Sequence, residues 1–307
     1  MARKKKNKDK KIIRVLLIII TIIYGLYLSE MDSTYSTDKT QNAINESNSN
    51  LMVYYLDVGQ ADSILIESNK EYMLIDAGNN EDGNGLVKYF NQMNITNFKY
   101  VVGTHPHEDH IGGLDDVINN FKIETIFMPD VITTTKTFVD VLDAIELNKL
   151  SYKVPKIRDE FKLGDAVLKV IYVGNNEGDL NNTSIVLRLD YKDTCFMFMG
   201  DAEAKAENLI INSGIDIDCD VLKIGHHGSR YSTTDKFLNK VNPRYAVISV
   251  GENNKYNHPE DVVINKLNNN SIETYRTDKS GTIIFSSDGN NIKIDKINTN
   301  IDSQEES

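Results

Sequence analysis

Tyr100-Val101-Val102-Gly103-Thr104-His105-Pro106-His107-Glu108-Asp109-His110-Ile111-Gly112-Gly113 decides how this chain is read. An apolar run of strand type stops abruptly, and three His and two acidic residues follow within six positions. The chain holds six His in all, and the other three are His226, His227 and His258. Neutral imidazole and carboxylate together make a ligand set suited to Zn²⁺ or Mn²⁺. A turn that is merely polar has no reason to gather half of the His, so a metal centre is the leading reading.

In H-x-H the two imidazoles project from one extended segment or tight turn and can share an ion. Asp109 and His110 follow at once and can face a second. Asp201, after the apolar run that ends at Met199-Gly200, can bridge the two with its two oxygens. Such a pair of ions ~3.5–4 Å apart holds a hydroxide nucleophile and offsets charge on a phosphoryl oxygen. The competing role for Asp201 is N-cap of a helix beginning at Ala202, which is compatible with ligation. His226 and His227 are adjacent, so in extended backbone they point to opposite sides and one of them reaches the metal. His227 is favoured, with His226 left as a neighbour of the site or a substrate contact. His258 reads three ways: a substrate-phosphate contact, a proton donor, or a surface residue. For Asp57, Asp62 and Asp76, at turn positions, structural hydrogen bonding leads.

Working outward, strands are expected at 52–58, 63–67, 72–75, 100–102, 124–128, 166–173, 184–191, 194–199, 220–224 and 245–250, with two more closing the chain. Helices are expected at 85–93, 114–121, 138–150, 203–213, 234–241 and 260–268. The chemistry-bearing residues recur at the C-terminal ends of strands, so loops at one rim of a rigid scaffold can bring them together.

Composition is that of a globular chain, 40% hydrophobic and 26% charged, and at 307 residues a large core is available. The net charge of −11 argues against bulk electrostatic capture of nucleic acid. It does not exclude a nuclease, because bound ions supply positive charge that the formal count omits. Cys195 and Cys219 are too few for a disulfide framework. A buried thiol is the default for Cys195, and a pairing of the two stays open. Residues 1–11 form a basic flank, with seven Lys or Arg between Arg3 and Lys11, and 12–28 an apolar segment. The latter reads as an uncleaved transmembrane anchor or, alternatively, a cleaved signal, with the basic side cytoplasmic and the rest extracytoplasmic or, after cleavage, secreted. A polar linker at 29–50, a hydrolase domain at 51–296 and a disordered tail at 297–307 complete the organisation.

The H-x-H-x-D-H motif with the later Gly-Asp and a further His resembles the metallo-β-lactamase-fold hydrolase superfamily. Leu56-Asp57-Val58-Gly59-Gln60-Ala61-Asp62, Leu74-Ile75-Asp76-Ala77-Gly78, Lys223-Ile224-Gly225-His226-His227-Gly228-Ser229 and Tyr256-Asn257-His258-Pro259 narrow the resemblance to one branch. This is the C-terminal extracytoplasmic domain of the competence DNA-uptake channel ComEC/Rec2 and its stand-alone relatives. The resemblance implies an α/β, four-layer αββα sandwich, here behind one N-terminal membrane helix. It also implies a site with His105 and His107 on one ion, Asp109 and His110 on the other, Asp201 bridging and His227 completing the second. Many superfamily members carry another His where this chain reads Asn181-Asn182-Thr183-Ser184, which leaves the His105/His107 ion more weakly held.

The function expected is a membrane-tethered, metal-dependent hydrolase that cleaves a phosphodiester with a metal-bound hydroxide. Asp109 orients that hydroxide, and His258 or His226 protonates the leaving oxygen. DNA or another nucleic acid is the leading substrate, with a role in DNA uptake or degradation. A cell-wall or small-molecule phosphodiester is second, since a choline-phosphate esterase of teichoic acid shares similar motifs. No obligate protein partner is implied. The rival of another class is a non-catalytic metal-binding scaffold of the cell envelope.

Overall fold

Leu51, Val53 and Tyr55 point into one apolar layer while Met52 and Tyr54 point into another. That is the period-two alternation of a strand covered on both faces, and it explains why the strand runs are apolar almost without interruption. The computed structural model describes residues 51–175 and 178–297. The first half holds β1 (Leu51–Tyr55), β2 (Ser63–Ser68), β3 (Glu71–Ala77), α1 (Gly83–Gln92), β4 (Asn97–Val102), α2 (Glu108–Ile111), α3 (Leu114–Asn120), β5 (Lys122–Phe127), α4 (Lys136–Leu147) and β6 (Tyr152–Lys153). Then come β7 (Glu160–Leu163), β8 (Ala166–Val173), β9 (Ile185–Tyr191), β10 (Thr194–Phe198), α5 (Ala204–Asn212) and β11 (Val221–Lys223). The last stretch is α6 (Asp235–Val241), β12 (Tyr245–Ile248), α7 (Asp261–Asn269), β13 (Glu273–Arg276), α8 (Thr277–Ser280), β14 (Thr282–Ser287) and β15 (Ile292–Ile297).

The strands form two sheets, ordered β15-β14-β1-β2-β3-β4-β5-β6 and β13-β12-β11-β10-β9-β8-β7. Three cores separate four layers. Leu86, Phe90, Val117 and Phe138 of α1, α3 and α4 cover the outer face of the first sheet. Phe127, Phe198 and Phe285 lie between the sheets, and Ile210, Phe237 and Val263 of α5, α6 and α7 cover the second. This is the αββα sandwich. Within it β3, β4 and β5 run parallel, as do β10, β11 and β12. The C-terminal ends of each parallel set share a rim, where an α/β sheet offers its binding crevice.

Several expectations change. Three strands, not two, follow α7, and β6, β7 and β13 were not foreseen. Each is short, and β7 and β13 end their sheets, so their polar sequences carry no apolar run. Ile297 closes β15 against Thr282 rather than opening a tail. Asp201 is not a helix cap: α5 starts at Ala204 with Glu203 in the cap position. Cys195 is not a free thiol but is bonded to Cys219, bracing β10 to the segment that enters β11. The flank at 1–11, the apolar segment at 12–28, the linker at 29–50 and residues 298–307 lie outside the described residues. Among the described residues no helix is long and apolar enough to cross a membrane.

The ring of Phe285 contacts that of Tyr55 on the neighbouring strand and those of Phe196, Tyr245 and Tyr275 across the inter-sheet layer. Phe285→Ala should therefore cost ~3–5 kcal/mol, read from urea unfolding; a loss below ~1 kcal/mol would show that this layer collapses around the cavity.

Candidate metal centre

Position begins with Asp76. Ser63 pairs with Ala77 and Ile64 with Ile75, so Asp76 is the extra residue of a β-bulge, with φ at 58°. Bulges re-aim side chains beside functional sites, and a non-Gly residue in the left-handed region is strain retained for a purpose. Here the Asp76 carboxylate accepts from the Thr104 N–H (2.7 Å), the Thr104 hydroxyl (2.7 Å) and His110 Nδ1 (2.8 Å). Those bonds fasten the segment after β4 to the end of β3. The helical turn α2 then seats His110 beneath β3, and Gly112 is obligatory there: a Cβ would lie 2.2 Å from the backbone of Asn79.

The ligand atoms converge in two groups that share Asp201: Asp109, His110, Asp201 and His227 in one, His105, His107 and Asp201 in the other. In the first, His110 Nε2 lies 3.2 Å and His227 Nε2 3.7 Å from Asp201 Oδ1, and His227 Nε2 is 3.3 Å from Asp109 Oδ2. His227 Nδ1 donates to the Ser249 carbonyl at 3.0 Å, which turns Nε2 inward. In the second, His105 Nε2 is 3.0 Å from His107 Nδ1 and 3.8 Å from Asp201 Oδ2. His105 Nδ1 is taken by the Thr104 hydroxyl at 3.2 Å. His110 Nε2, His227 Nε2 and Asp201 Oδ1 are buried without a hydrogen-bond partner. Buried polar atoms are ordinarily satisfied, so three orphans meeting at one point are the mark of a cation site. The donor set, imidazole plus carboxylate, fits a divalent ion of the Zn²⁺ or Mn²⁺ kind.

The electrostatics agree. Burial works against charge on His110 and His227, yet Asp201, Asp76 and Asp109 hold His110 well above the usual imidazole range. Asp201, with Asp109 and Asp62, lifts His227 to about 10. Conversely, burial opposes ionisation of Asp201 and Asp109, and the imidazoles of His110 and His227 overcome it to hold both carboxyls low. Burial keeps His105 and His107 below the ordinary imidazole value, so both offer lone pairs.

An open cleft of ≈ 330 Å³ lies over the cluster, lined among others by Gln60, Asn181, His226, Tyr256 and His258. His226 and His227 are not in extended backbone: both are left-handed, with φ of 48° and 50°. His227 turns into the buried cluster and His226 stays on the cleft wall, 5.5 Å ring to ring from His258. Burial, then His226, lowers the pKa of His258. Asp57 stays at the edge, its carboxylate accepting from the Gly59 N–H. Asp76 and Asp62 fill the structural role expected of them, Asp76 through Thr104 and His110 and Asp62 through Lys223. The group the sequence reading missed is the fully buried Lys223, paired at 2.8 Å with Asp62, whose Oδ1 lies 3.4 Å from His227 Nδ1. A lysine inside the apolar run Val221-Leu222-Lys223-Ile224 was the available signal.

This architecture and ligand arrangement place the chain in a known class. Residues 56–252 match the family described as the Metallo-beta-lactamase superfamily, and the chain belongs to it. The fold binds divalent metals. Two solved structures share the fold: the metallo hydrolase Igni18 of Ignicoccus hospitalis (TM-score 0.51, 15% identity, covering 76% of this chain and 98% of that one) and the β-hydroxylase CmlA (TM-score 0.53, 12% identity, 79% and 55%). Within the family the chain falls in the ComEC/Rec2-like branch. It is similar to ComE operon protein 3 of Bacillus subtilis, 28% identical over 75% of this chain and 32% of that protein. Competence protein ComA of Neisseria gonorrhoeae is also 28% identical, over 75% and 31%, and Recombination protein 2 of Haemophilus influenzae 26%, over 74% and 28%. The chain thus spans about a third of the length of the curated relatives it matches.

Two outcomes are expected. Asp76→Asn should weaken divalent-ion binding ~10–100-fold by loosening His110, measured by competition with a chelating dye; unchanged affinity would remove Asp76 from the supporting role. Next, a raised imidazole pKa contributes stability that is full below the unfolded value of ~6.5 and lost as pH rises through about 10 for His227. The lowered carboxyls of Asp201 and Asp109 contribute stability above ~3.9 that is lost as pH falls through their folded values. The metal-free protein should therefore melt highest between these limits and progressively lower towards pH 10, and divalent ion should flatten the alkaline limb. A melting temperature level from pH 6.5 to 10 without ion would contradict the charge arrangement.

Proposed function

We propose that this chain is a metal-dependent phosphodiesterase whose foremost substrate is DNA, anchored by residues 12–28 with the sandwich outside the cytoplasm. The observation that carries the reading is the pair of ligand groups sharing Asp201 at the floor of an open cleft. Divalent ions there supply Lewis acidity and make water nucleophilic near neutral pH. His105, His107, Asp109, His110, Asp201 and His227 hold them, in two sites of unequal donor number. Asp109 lines the cleft as well as the cluster, and its ionised carboxylate orients the attacking water. As the new P–O bond forms and the old one breaks, the leaving oxygen takes a proton from the outer wall, where His226 and His258 stand.

The competence relatives support a place in DNA uptake, and the Cys195–Cys219 bond supports an oxidising, extracytoplasmic compartment. A second reading has its own support: no Lys or Arg lines the cleft among the described residues. That favours a compact diester of the cell wall or a small molecule over a long polyanion. The complete ligand set counts against a scaffold without activity.

The test uses the full-length chain in detergent, stripped of metal and reloaded with Mn²⁺ or Zn²⁺. Bis(p-nitrophenyl) phosphate and single-stranded DNA are assayed side by side. Both should turn over, and Asp201→Ala should lower each rate by ~10³-fold or more. Turnover of the small diester alone would move the substrate to the second reading. No turnover with stoichiometric metal bound would sink the phosphodiesterase claim.

A further inference from the structure

The two ligand groups are unequal: four protein donors surround one position and three the other, with Asp201 counted in both. The oxygens of Asp201 divide the surroundings. Oδ1 faces His110 Nε2 at 3.2 Å and His227 Nε2 at 3.7 Å, while Oδ2 faces His105 Nε2 at 3.8 Å and His226 Nε2 at 3.7 Å. His226 thus stands to Oδ2 as His227 stands to Oδ1. We infer that His226 is the missing donor of the three-ligand group, closing a site of His105, His107, Asp201 and His226. This rests on the two-ion reading above.

Three observations carry it. Bonds of 2.0–2.1 Å in a tetrahedral site put ligand atoms ~3.3 Å apart. The separations of 3.0 Å (His105 to His107), 3.8 Å and 3.7 Å lie around that edge. His226 stands outside the group whose atoms all lie within 4.8 Å, so closing the site would require its side chain to move inward. Second, His226 Nδ1 donates to Glu203 Oε1 at 3.0 Å, which leaves Nε2 as the lone-pair nitrogen facing Asp201. A ligating His characteristically gives its other N–H to a carboxylate or carbonyl. His110 does so to Asp76 and His227 to Ser249, so His226–Glu203 repeats the arrangement of the four-donor group. Third, two successive left-handed residues are costly for His, and here they let neighbouring imidazoles address the two oxygens of one carboxylate. Glu203 is accordingly a positioning residue. Proton transfer to the leaving group falls to His258 alone.

The experiment counts ions. Full-length chain in detergent is stripped and dialysed against Zn²⁺ or Co²⁺, bound metal is measured by mass spectrometry, and the Co²⁺ form is followed by its visible absorption. Wild type should hold two ions. His226→Asn, which keeps a residue tolerant of the left-handed conformation, should hold one tightly and lose the other, with an altered Co²⁺ spectrum and an unchanged melting temperature in the metal-free state. Glu203→Gln should keep both while weakening one ~10–100-fold. Asn181→Ala, which removes an amide that donates to Glu203 Oε1 at 3.2 Å and lies 3.4 Å from His226 Nδ1, should keep both ions. Two ions of undiminished affinity in His226→Asn, or loss of an ion in Asn181→Ala instead, would overturn the assignment and leave the metal centre standing. A wild-type protein that takes up no ion would overturn the metal centre itself.

Discussion

Asp62, Asp76 and Asp201 are buried almost completely at one rim, with Asp109 part-buried beside them. Burying anions is expensive unless cations accompany them. Around these four carboxylates the fold assembles Lys223, His110, His227 and the space for divalent ions. Much of the rim follows from this one demand. The Asp76 bulge, the Thr104 hydroxyl that links Asp76 to His105, and the carbonyl that turns His227 each hold a polar group in the geometry that charge compensation requires.

The sandwich makes that density of charge possible. Parallel strands end together, so residues from positions 76, 105–110, 201 and 227 meet although far apart in sequence. Beneath them lie inter-sheet aromatics such as Tyr55, Phe198 and Phe285. These apolar layers bear the polar cluster on strand ends rather than on long loops, which favours a fixed ligand geometry.

The sequence made the centre of this molecule legible because its signals are local. The H-x-H-x-D-H run, the Gly-Asp after β10 and the doubled His after β11 each state a donor type and a strand end. Strands covered on both faces announce themselves as unbroken apolar runs, and α1, α3 and α4 to α7 by their spacing. What stayed hidden depends on contacts between segments distant in sequence. The strands β7 and β13 have no apolar run because each is an edge. Asp76 looks like a turn residue until the bulge aims it at Thr104 and His110. Lys223 gains its meaning only from Asp62, in the turn that leads into β2 of the other sheet. The left-handed pair His226–His227 is a backbone state that no residue pattern there predicts, since neither is Gly or Asn.

The Cys195–Cys219 bond closes a ring of chain, and inside that ring lie Gly200, Asp201, Glu203 and all of α5. A cross-link of this sort removes much of the freedom a segment gains when it opens. Asp201, shared by both ligand groups, and Glu203, which pairs with His226, therefore sit on a hoop of polypeptide tied at its neck. Their place is held by covalent connectivity as well as by whatever ion they grip. The tie holds that stretch of the rim independently of any ion.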